Sequence, residues 1–552
     1  MVLSGAAITI EELVSHGVDT IFGYPGGSIV HLYDELYKNS HRINHVLTAH
    51  EQGAAHAADA YARVSGKPGA VIATSGPGAT NLVTGIANAY LDSVPIVFIT
   101  GNVPVSMLGR DSFQEIDILG VTLPIVKHSY VVRDIKDLQR TMKEAFLIAD
   151  TGRKGPVLVD IPKNVQIETC EYDPDLTLSL SGDSVRRTDL SGFDRALDAI
   201  AQSRRPYIYC GGGVTATDAG PEVVELSKKL GAPIGTSIMG IGSIPASYEL
   251  NLGMCGMHGR YASTIAQSEA DLIIALGVRF SDRATGNTEE YVKSCKVLHI
   301  DIDAAELGKN VCIDISLCGD IRTILPKLLS ESRSRVDEEW IKRIRELKAA
   351  DCVEPGEDFT PRNIIKRVNS FYDSDTVVAT DVGQHQMWVA QYYDFEKPRK
   401  FITSGGLGAM GFGFGAAIGA CFARGHKRTV LFTSEGSFGM NLTEMATAVT
   451  QNLPITIVLL NNGVLGMVRQ WQSLFFENRH SQTTLLRKTD FPALTHAFGA
   501  VGYSAASLSE LDDLLKNAPE DGPCLIDCRI DKDEKVFPMI PAGGTVRDIL
   551  IN

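Results

Sequence analysis

The chain predicts an α/β protein of three doubly wound parallel-sheet domains, and three observations carry that reading. At 552 residues it is too long for one hydrophobic core. Short apolar strands alternate with amphipathic helices along most of its length, the pattern of a parallel sheet covered on both faces. Glycine and proline cluster directly after the strands, where open α/β sheets place their ligand loops.

Each element follows in order. The first unit, 1–170, runs through DTIFGYPGG, a helix to Tyr37, NHVLTAH, a helix from Glu51, GAVIATSGPG, a helix from Ala79 and PIVFITG. Glu171 to Thr188 is polar, lacks apolar periodicity and reads as a linker. The second unit, 188–335, repeats the alternation from PYIYCGGGV through GAPIGTSIMG, DLIIALGVRF and VLHIDIDAAELG. A charged helix near Glu331 to Lys348, followed by Glu354-Pro355-Gly356, reads as a connector. The third unit, 358–535, holds TVVATDVGQHQMW, a glycine-rich run and PCLIDCRID; 536–552 is expected to be a tail packed across a site.

Composition excludes several classes. A net charge of −14 with no basic stripe argues against nucleic-acid or anionic-membrane partners. Ten cysteines without a Cys-x-x-Cys pair suit reduced, mostly buried thiols in a cytoplasmic protein rather than disulfides or zinc. The start, MVLSGAAITIEEL, has no basic n-region, so no secretory leader is expected. The uncharged run Ser404 to Ala423 is long enough to span a bilayer, but its glycine density suits close backbone packing better.

The stretch from Thr433 to Gln472 carries the most chemistry. Glu435 follows a strand and precedes a Gly-Ser-Phe-Gly turn and a helix; a second strand ends on Asn461-Asn462, 462 − 435 = 27 residues later. Oxygen ligands suit Mg²⁺, which takes one or two carboxylates and completes its shell with phosphate oxygens. A small-residue turn at a helix N-terminus favours a phosphate. The segment resembles the thiamine-diphosphate signature, Gly-Asp-Gly followed by Asn-Asn. Ser434-Glu435-Gly436 departs from it by one methylene, which Mg²⁺ tolerates poorly.

Two other features stay ambiguous on the residues alone. Glu51 in His50-Glu51-Gln52 opens a helix: it could protonate a heterocycle in a cleft, or it could simply stabilise the helix dipole. Gly211-Gly212-Gly213 after a strand is a dinucleotide signal without the full Gly-x-Gly-x-x-Gly spacing, and a tight turn explains it as well.

FGYPGGSI, AHEQGAAHAADAYAR, TSGPGATNL, DSFQEID, GRKGPVLVDIPK, GMCGMHG, GVRFSDRATGN, DVGQHQMW, SGGLGAMGFG, LLNNGVLGMVRQWQ and VFPMIPAGG occur in this order across all three units. Together they resemble the large, catalytic subunits of the acetolactate synthase family. The resemblance implies a transferase that decarboxylates pyruvate on thiamine diphosphate. It then joins the product to pyruvate or 2-ketobutyrate, in branched-chain amino-acid synthesis.

It also implies roles. Glu51 would drive the cofactor's aminopyrimidine to its imino form, and Met410 would hold the cofactor bent. Gln384, His385, Gly436, Ser437, Gly466 and Met467 would bind the diphosphate. Glu435, Asn462 and the carbonyl of Val464 would bind Mg²⁺. Arg283 would grip the second ketoacid's carboxylate, Trp471 would wall the acceptor pocket, and Gly27, Phe113, Gln114 and Lys163 would complete the site.

Arg153, Gly211, Gly213, Met257, His258, Arg279 and Asp320 match the family's contacts to FAD, which is structural because the net reaction transfers no electrons. Ser281 replaces an Asp of the usual Arg-Phe-Asp-Asp-Arg, and Gly415 stands where Pro is common, loosening a helix start. The resemblance further implies a homodimer or homotetramer with sites shared between chains, and a separate regulatory subunit. The rivals are a ketoacid decarboxylase or pyruvate oxidase on the same scaffold, and a non-catalytic paralogue whose metal site decayed at Ser434-Glu435.

Overall fold

The computed structural model describes residues 1–178, 188–352 and 356–551. Residues 179–187 of the expected linker and the Glu354-Pro355 of the expected connector lie outside the described residues. Three six-stranded, wholly parallel sheets follow one another along the chain, which is the predicted fold class.

In the first sheet the neighbours run Asn44–Leu47, Thr20–Tyr24, Gly69–Ala73, Ile96–Asn102, Pro156–Pro162 and His128–Val131. The second runs Asn251–Met254, Ile234–Thr236, Pro206–Cys210, Leu272–Leu276, Lys296–Asp301 and Ile315–Cys318. The third runs Phe401–Ile402, Val377–Thr380, Thr429–Thr433, Ile455–Asn461, Cys524–Arg529 and Val501–Ala505. The central strands are buried on both faces, so they read as continuous apolar runs without alternation. A short strand, Val2–Ser4, pairs antiparallel with Thr169–Glu171 and ties the first unit's two ends together.

The first and third units share one core through two helices made of small residues. Glu51–Ser65 packs along Phe412–Ala423, and both contribute to a single buried cluster. A Cβ on Gly419 would lie 1.9 Å from the carbonyl oxygen of Ala57, and one on Gly415 would lie 2.8 Å from that of Gly53. Backbone meets backbone here, and only glycine fits. Gly415 therefore does more than loosen a helix start: it is the fourth residue of its helix and lies in the seam.

The uncharged run from Ser404 holds this buried 12-residue helix, and no helix among the described residues is long and apolar enough to cross a membrane. Cys210, Cys255, Cys421, Cys524 and Cys528 are buried, whereas Cys312 and Cys352 are exposed, so burial of the thiols is less general than expected. The C-terminal tail folds back over the second unit. Met539 and Leu550 exchange backbone hydrogen bonds, Ile540 N–H donates to the Met257 carbonyl at 2.8 Å, and Asn287 N–H donates to Gly544 at 3.1 Å.

Candidate active site

At the C-terminal edge of the third sheet, the strands Thr429–Thr433 and Ile455–Asn461 deliver Glu435 and Asn462 to one place. Glu435 begins the helix Glu435–Asn441 and is 4% exposed, yet neither carboxylate oxygen has a hydrogen-bond partner. Burial pushes its carboxyl up to about 7, although the amides of Asn462, Gly463 and Val464 lie near enough to pull it back. They do so without forming well-shaped hydrogen bonds. A buried carboxylate left open in this way is costly unless a cation or proton completes it.

Beside it, Asn462 Oδ1 accepts from Val464 N–H at 3.2 Å, and Asn462 Nδ2 donates to Gln384 Oε1 at 3.3 Å. A Cβ on Gly466 would stand 1.9 Å from Gln384 Oε1, so the helix Gly466–Phe475 starts against the Gln384 amide. Ser437 Oγ donates to the Val382 carbonyl at 2.7 Å. His385 is buried with Nε2 unpartnered, and burial pushes its pKa down to about 3, so it is neutral at pH 7. A Cβ on Gly436 would approach Met410 Cε to 3.8 Å. Nine expected residues, Met410, Gln384, His385, Glu435, Gly436, Ser437, Asn462, Val464 and Gly466, thus gather around one cleft. Met467 lies one position into the same helix.

Sequence reasoning missed Asp381. Its Oδ1 accepts the Gly411 N–H at 2.7 Å, and its Oδ2 accepts from Thr433 Oγ1 at 3.3 Å. Gly411 holds φ +87°, a conformation that favours glycine. Asp381 therefore pins the turn just after Met410 to two strand ends. Burial pushes its carboxyl up to about 6. A lone Asp after a strand gives no pattern that distinguishes it from a surface residue.

Arg283 and Trp471 meet. The Arg283 guanidinium lies 5.8 Å from the indole centroid, and the indole is edge-packed on Phe475 at 5.5 Å. Arg283 also touches Met257 Sδ at 3.7 Å, and its backbone carbonyl accepts the Met257 N–H. The arginine side chain remains 61% exposed. It therefore presents donors to a ligand while one face rests on the ring.

Glu51 sits elsewhere. It accepts from Asn81 Nδ2 at 2.9 Å within the first unit. Among the described residues no hydrogen bond, ion pair or ring contact joins it to Glu435, Gln384 or Asn462. Gly27 and Phe113 are exposed, the latter at 87%, while Gln114 and Lys163 are half-buried. A single chain thus gathers the diphosphate side of the expected site and leaves the Glu51 side apart.

A separate cavity of about 320 Å³ lies where the three units meet, lined among others by Arg153, Gly213, Arg279, Ser281, Asp320 and Gly405. Arg153 is held there by Glu306 at 2.6 Å and Ser93 at 2.9 Å. Asp320 caps the helix Ile321–Glu331 and pairs with Arg322 at 3.0 Å. Gly211 does not line the cavity; a Cβ on it would lie 2.0 Å from the Gly277 carbonyl oxygen, so strand packing alone accounts for that glycine. Met257 and His258 also lie outside the lining. They are buried beside Arg283, and burial pushes His258 down to about 4.

Comparison with known proteins agrees with this arrangement. The chain matches the profiles "Thiamine pyrophosphate enzyme, N-terminal TPP binding domain" over 3–121, "central domain" over 193–328 and "C-terminal TPP binding domain" over 381–528. It is 44% identical to the acetolactate synthase large subunit of Lactococcus lactis over 546 residues, covering 98% of this chain and 95% of the relative. It is 42% identical to the isozyme 2 large subunit of Escherichia coli over 551 residues, covering 99% of each. The acetolactate synthase of Arthrospira platensis is 42% identical over 570 residues, covering 99% of this chain and 98% of the relative. The three parallel sheets, the cleft at Glu435 and Asn462, and full-length likeness at this level lead to one conclusion: the chain belongs to the acetolactate synthase large-subunit family of thiamine-diphosphate enzymes.

Proposed function

We propose that the chain decarboxylates pyruvate and joins the remaining two-carbon unit to a second 2-ketoacid, giving 2-acetolactate from pyruvate or 2-aceto-2-hydroxybutyrate from 2-ketobutyrate. This is the first common step of branched-chain amino-acid synthesis. The observation that carries the reading is the Arg283–Trp471 pair, a carboxylate-gripping cation stacked on an apolar wall. A simple decarboxylase has no second carboxylate to bind.

Thiamine diphosphate, when bound, supplies the electron sink that makes loss of CO₂ from a 2-ketoacid feasible. Gln384, His385, Gly436, Ser437, Gly466 and Met467 would hold its diphosphate, and Met410 would support its bent shape. Glu435, Asn462 and the Val464 carbonyl would hold Mg²⁺; the donor set is all oxygen, and the two open carboxylate oxygens of Glu435 fit a cation. Glu51 would hold a proton at a ring nitrogen of the pyrimidine. Arg283 would bind the acceptor carboxylate, Trp471 would wall the acceptor pocket, and Gly27, Phe113, Gln114 and Lys163 would complete the site.

FAD would occupy the three-unit cavity, held at Arg153, Arg279 and Asp320, without taking part in electron transfer. We further infer a homo-oligomer, because among the described residues the Glu51 side chain makes no hydrogen bond or ion pair with the Glu435 cleft of its own chain, and a second copy would supply one. The names of the relatives contain "large subunit", which supports a smaller regulatory partner. We place the protein in the cytoplasm, away from nucleic acid and membrane.

The test is product analysis of purified protein with pyruvate, thiamine diphosphate and Mg²⁺. Acetolactate supports the reading; acetaldehyde or acetyl phosphate as sole product points to a decarboxylase or oxidase. A second reading draws on Glu435: if turnover appears only in Glu435→Asp, the natural site is a decayed one.

A further inference from the structure

The helix that begins at Glu51 is not anchored by its own unit alone. Its last two preceding amides, Ala49 N–H and His50 N–H, donate to the two carboxylate oxygens of Glu444 at 3.1 and 3.0 Å. Glu444 belongs to the third unit, at the end of the short turn Leu442–Glu444, nearly four hundred residues away in sequence. Its side chain is fully buried, and Thr447 Oγ1 donates to the same carboxylate at 2.6 Å. A Cβ on Gly53 would lie 2.1 Å from Glu444 Oε1, so the helix's first turn leaves just enough room for this carboxylate. His50 meanwhile caps the helix from its own side, Nδ1 accepting the Gln52 N–H at 3.1 Å. Two of the hydrogen bonds accepted by Glu444 thus hold the helix start, and the third, from Thr447, holds the carboxylate in place.

Glu444 also continues the segment that begins with Glu435. The helix Glu435–Asn441, the turn Leu442–Glu444 and the helix Met445–Thr450 are contiguous. A shift of the Glu435 helix must therefore move the carboxylate that grips the backbone immediately before Glu51. A buried carboxylate at a helix N-terminus is held by the free amides and the helix dipole. The grip is stiff at His50, because releasing that amide would leave the buried Glu444 Oε1 without its donor.

We propose that Glu444 is a positioning residue for the reaction. It fixes the direction in which Glu51 leaves the helix start, and links that direction to the segment bearing the Glu435–Asn462 cleft. The inference rests on the reading that Glu51 serves the pyrimidine ring of the cofactor. Gln at position 444 would keep the size but accept only one amide, presenting its own N–H₂ to the other.

The experiment uses full-length oligomeric protein saturated with thiamine diphosphate and Mg²⁺. It measures exchange of the cofactor's C2 proton with deuterated solvent by rapid quench and NMR. In Glu444→Gln this exchange is expected to slow about tenfold, with Mg²⁺ half-saturation within twofold of wild type. Thr447→Val keeps the charge and removes one bond; it is expected to slow exchange about threefold and serves if Glu444→Gln does not fold. In a Glu51→Gln background, neither change is expected to slow exchange further, because both act through Glu51.

Unchanged exchange in folded Glu444→Gln, or an equal further loss on top of Glu51→Gln, would overturn the inference. If Glu51→Gln by itself leaves exchange untouched, the reading of Glu51 falls instead, and the two failures stay distinct.

Discussion

The guanidinium of Arg283, in the second unit, rests 5.8 Å from the indole centroid of Trp471 in the third. At an exposed site such a contact is worth about 0.5–1 kcal/mol, enough to orient the arginine but too little to lock it. With Nε 3.7 Å from the Asp282 carboxylate, a guanidinium poised in this way keeps its outer donors for a ligand carboxylate. For Arg283→Ala we expect acetolactate formation to fall roughly 10- to 150-fold, the range for losing charged hydrogen bonds of about 1.5–3 kcal/mol. The single-turnover release of CO₂ should stay within about twofold. Equal losses in both would contradict a role confined to the acceptor.

Trp471 presents apolar surface to that acceptor. One methylene in an apolar pocket contributes about 1–3 kcal/mol, so Trp471→Ala should cut the preference for 2-ketobutyrate over pyruvate by about tenfold. Competition between the two ketoacids, read as the product ratio, checks it. A ratio unaltered by the substitution rejects the assignment.

Glu435 is longer than the Asp it replaces in the related signature, and Mg²⁺ demands near-ideal octahedral geometry. Glu435→Asp should therefore reach half-maximal activity at lower Mg²⁺ than the natural chain. Titrating activity against Mg²⁺ in both proteins decides, and coincident curves reject the idea.

Asp160 offers a test of stability against pH in the first sheet. It is buried between Thr100 Oγ1 and Asn102 Nδ2, each donating at 2.6 Å, and burial pushes its carboxyl from 3.8 up to about 7. The folded state then holds the proton more tightly than the unfolded state. Its contribution is therefore largest below pH 3.8 and is lost as pH rises to about 7, with a slope of up to about 1.4 kcal/mol per pH unit. The melting temperature of the natural chain, relative to Asp160→Asn, should fall between pH 4.5 and pH 7.5, on the order of several degrees. A constant difference across that window would show that the carboxyl is not raised.

Gly419 tests the seam between the first and third units. Its added Cβ would meet the Ala57 backbone oxygen at 1.9 Å, and a backbone atom cannot swing aside. Gly419→Val should destabilise by about 1–3 kcal/mol or more, the usual cost of overpacking. Thermal melting checks this, and an unchanged midpoint would mean the two helices separate more easily than their packing implies.

What was legible from residues alone was what local chemistry dictates. Apolar runs bounded by Gly and Pro announced the parallel strands, because strands covered on both faces need no alternation. Glu435 and Asn462 were readable because each lies within two residues of its strand's end, and neighbouring parallel strands end at one edge. Gly211 was readable only as a glycine: choosing between turn and ligand loop needed the Gly277 carbonyl pressed against it.

Tertiary structure alone decided the pairings between residues distant in sequence, most of them between units. Arg283 meets Trp471 across 471 − 283 = 188 residues, Glu444 holds the amides before Glu51, and Asp381 pins Gly411 after Met410. No propensity or spacing encodes such contacts, because they arise when loops and separately folded sheets close on one another and buried polar groups must find partners there. The chain's residues set the sheets and their ligand loops; the docking of the units set which side chains face each other.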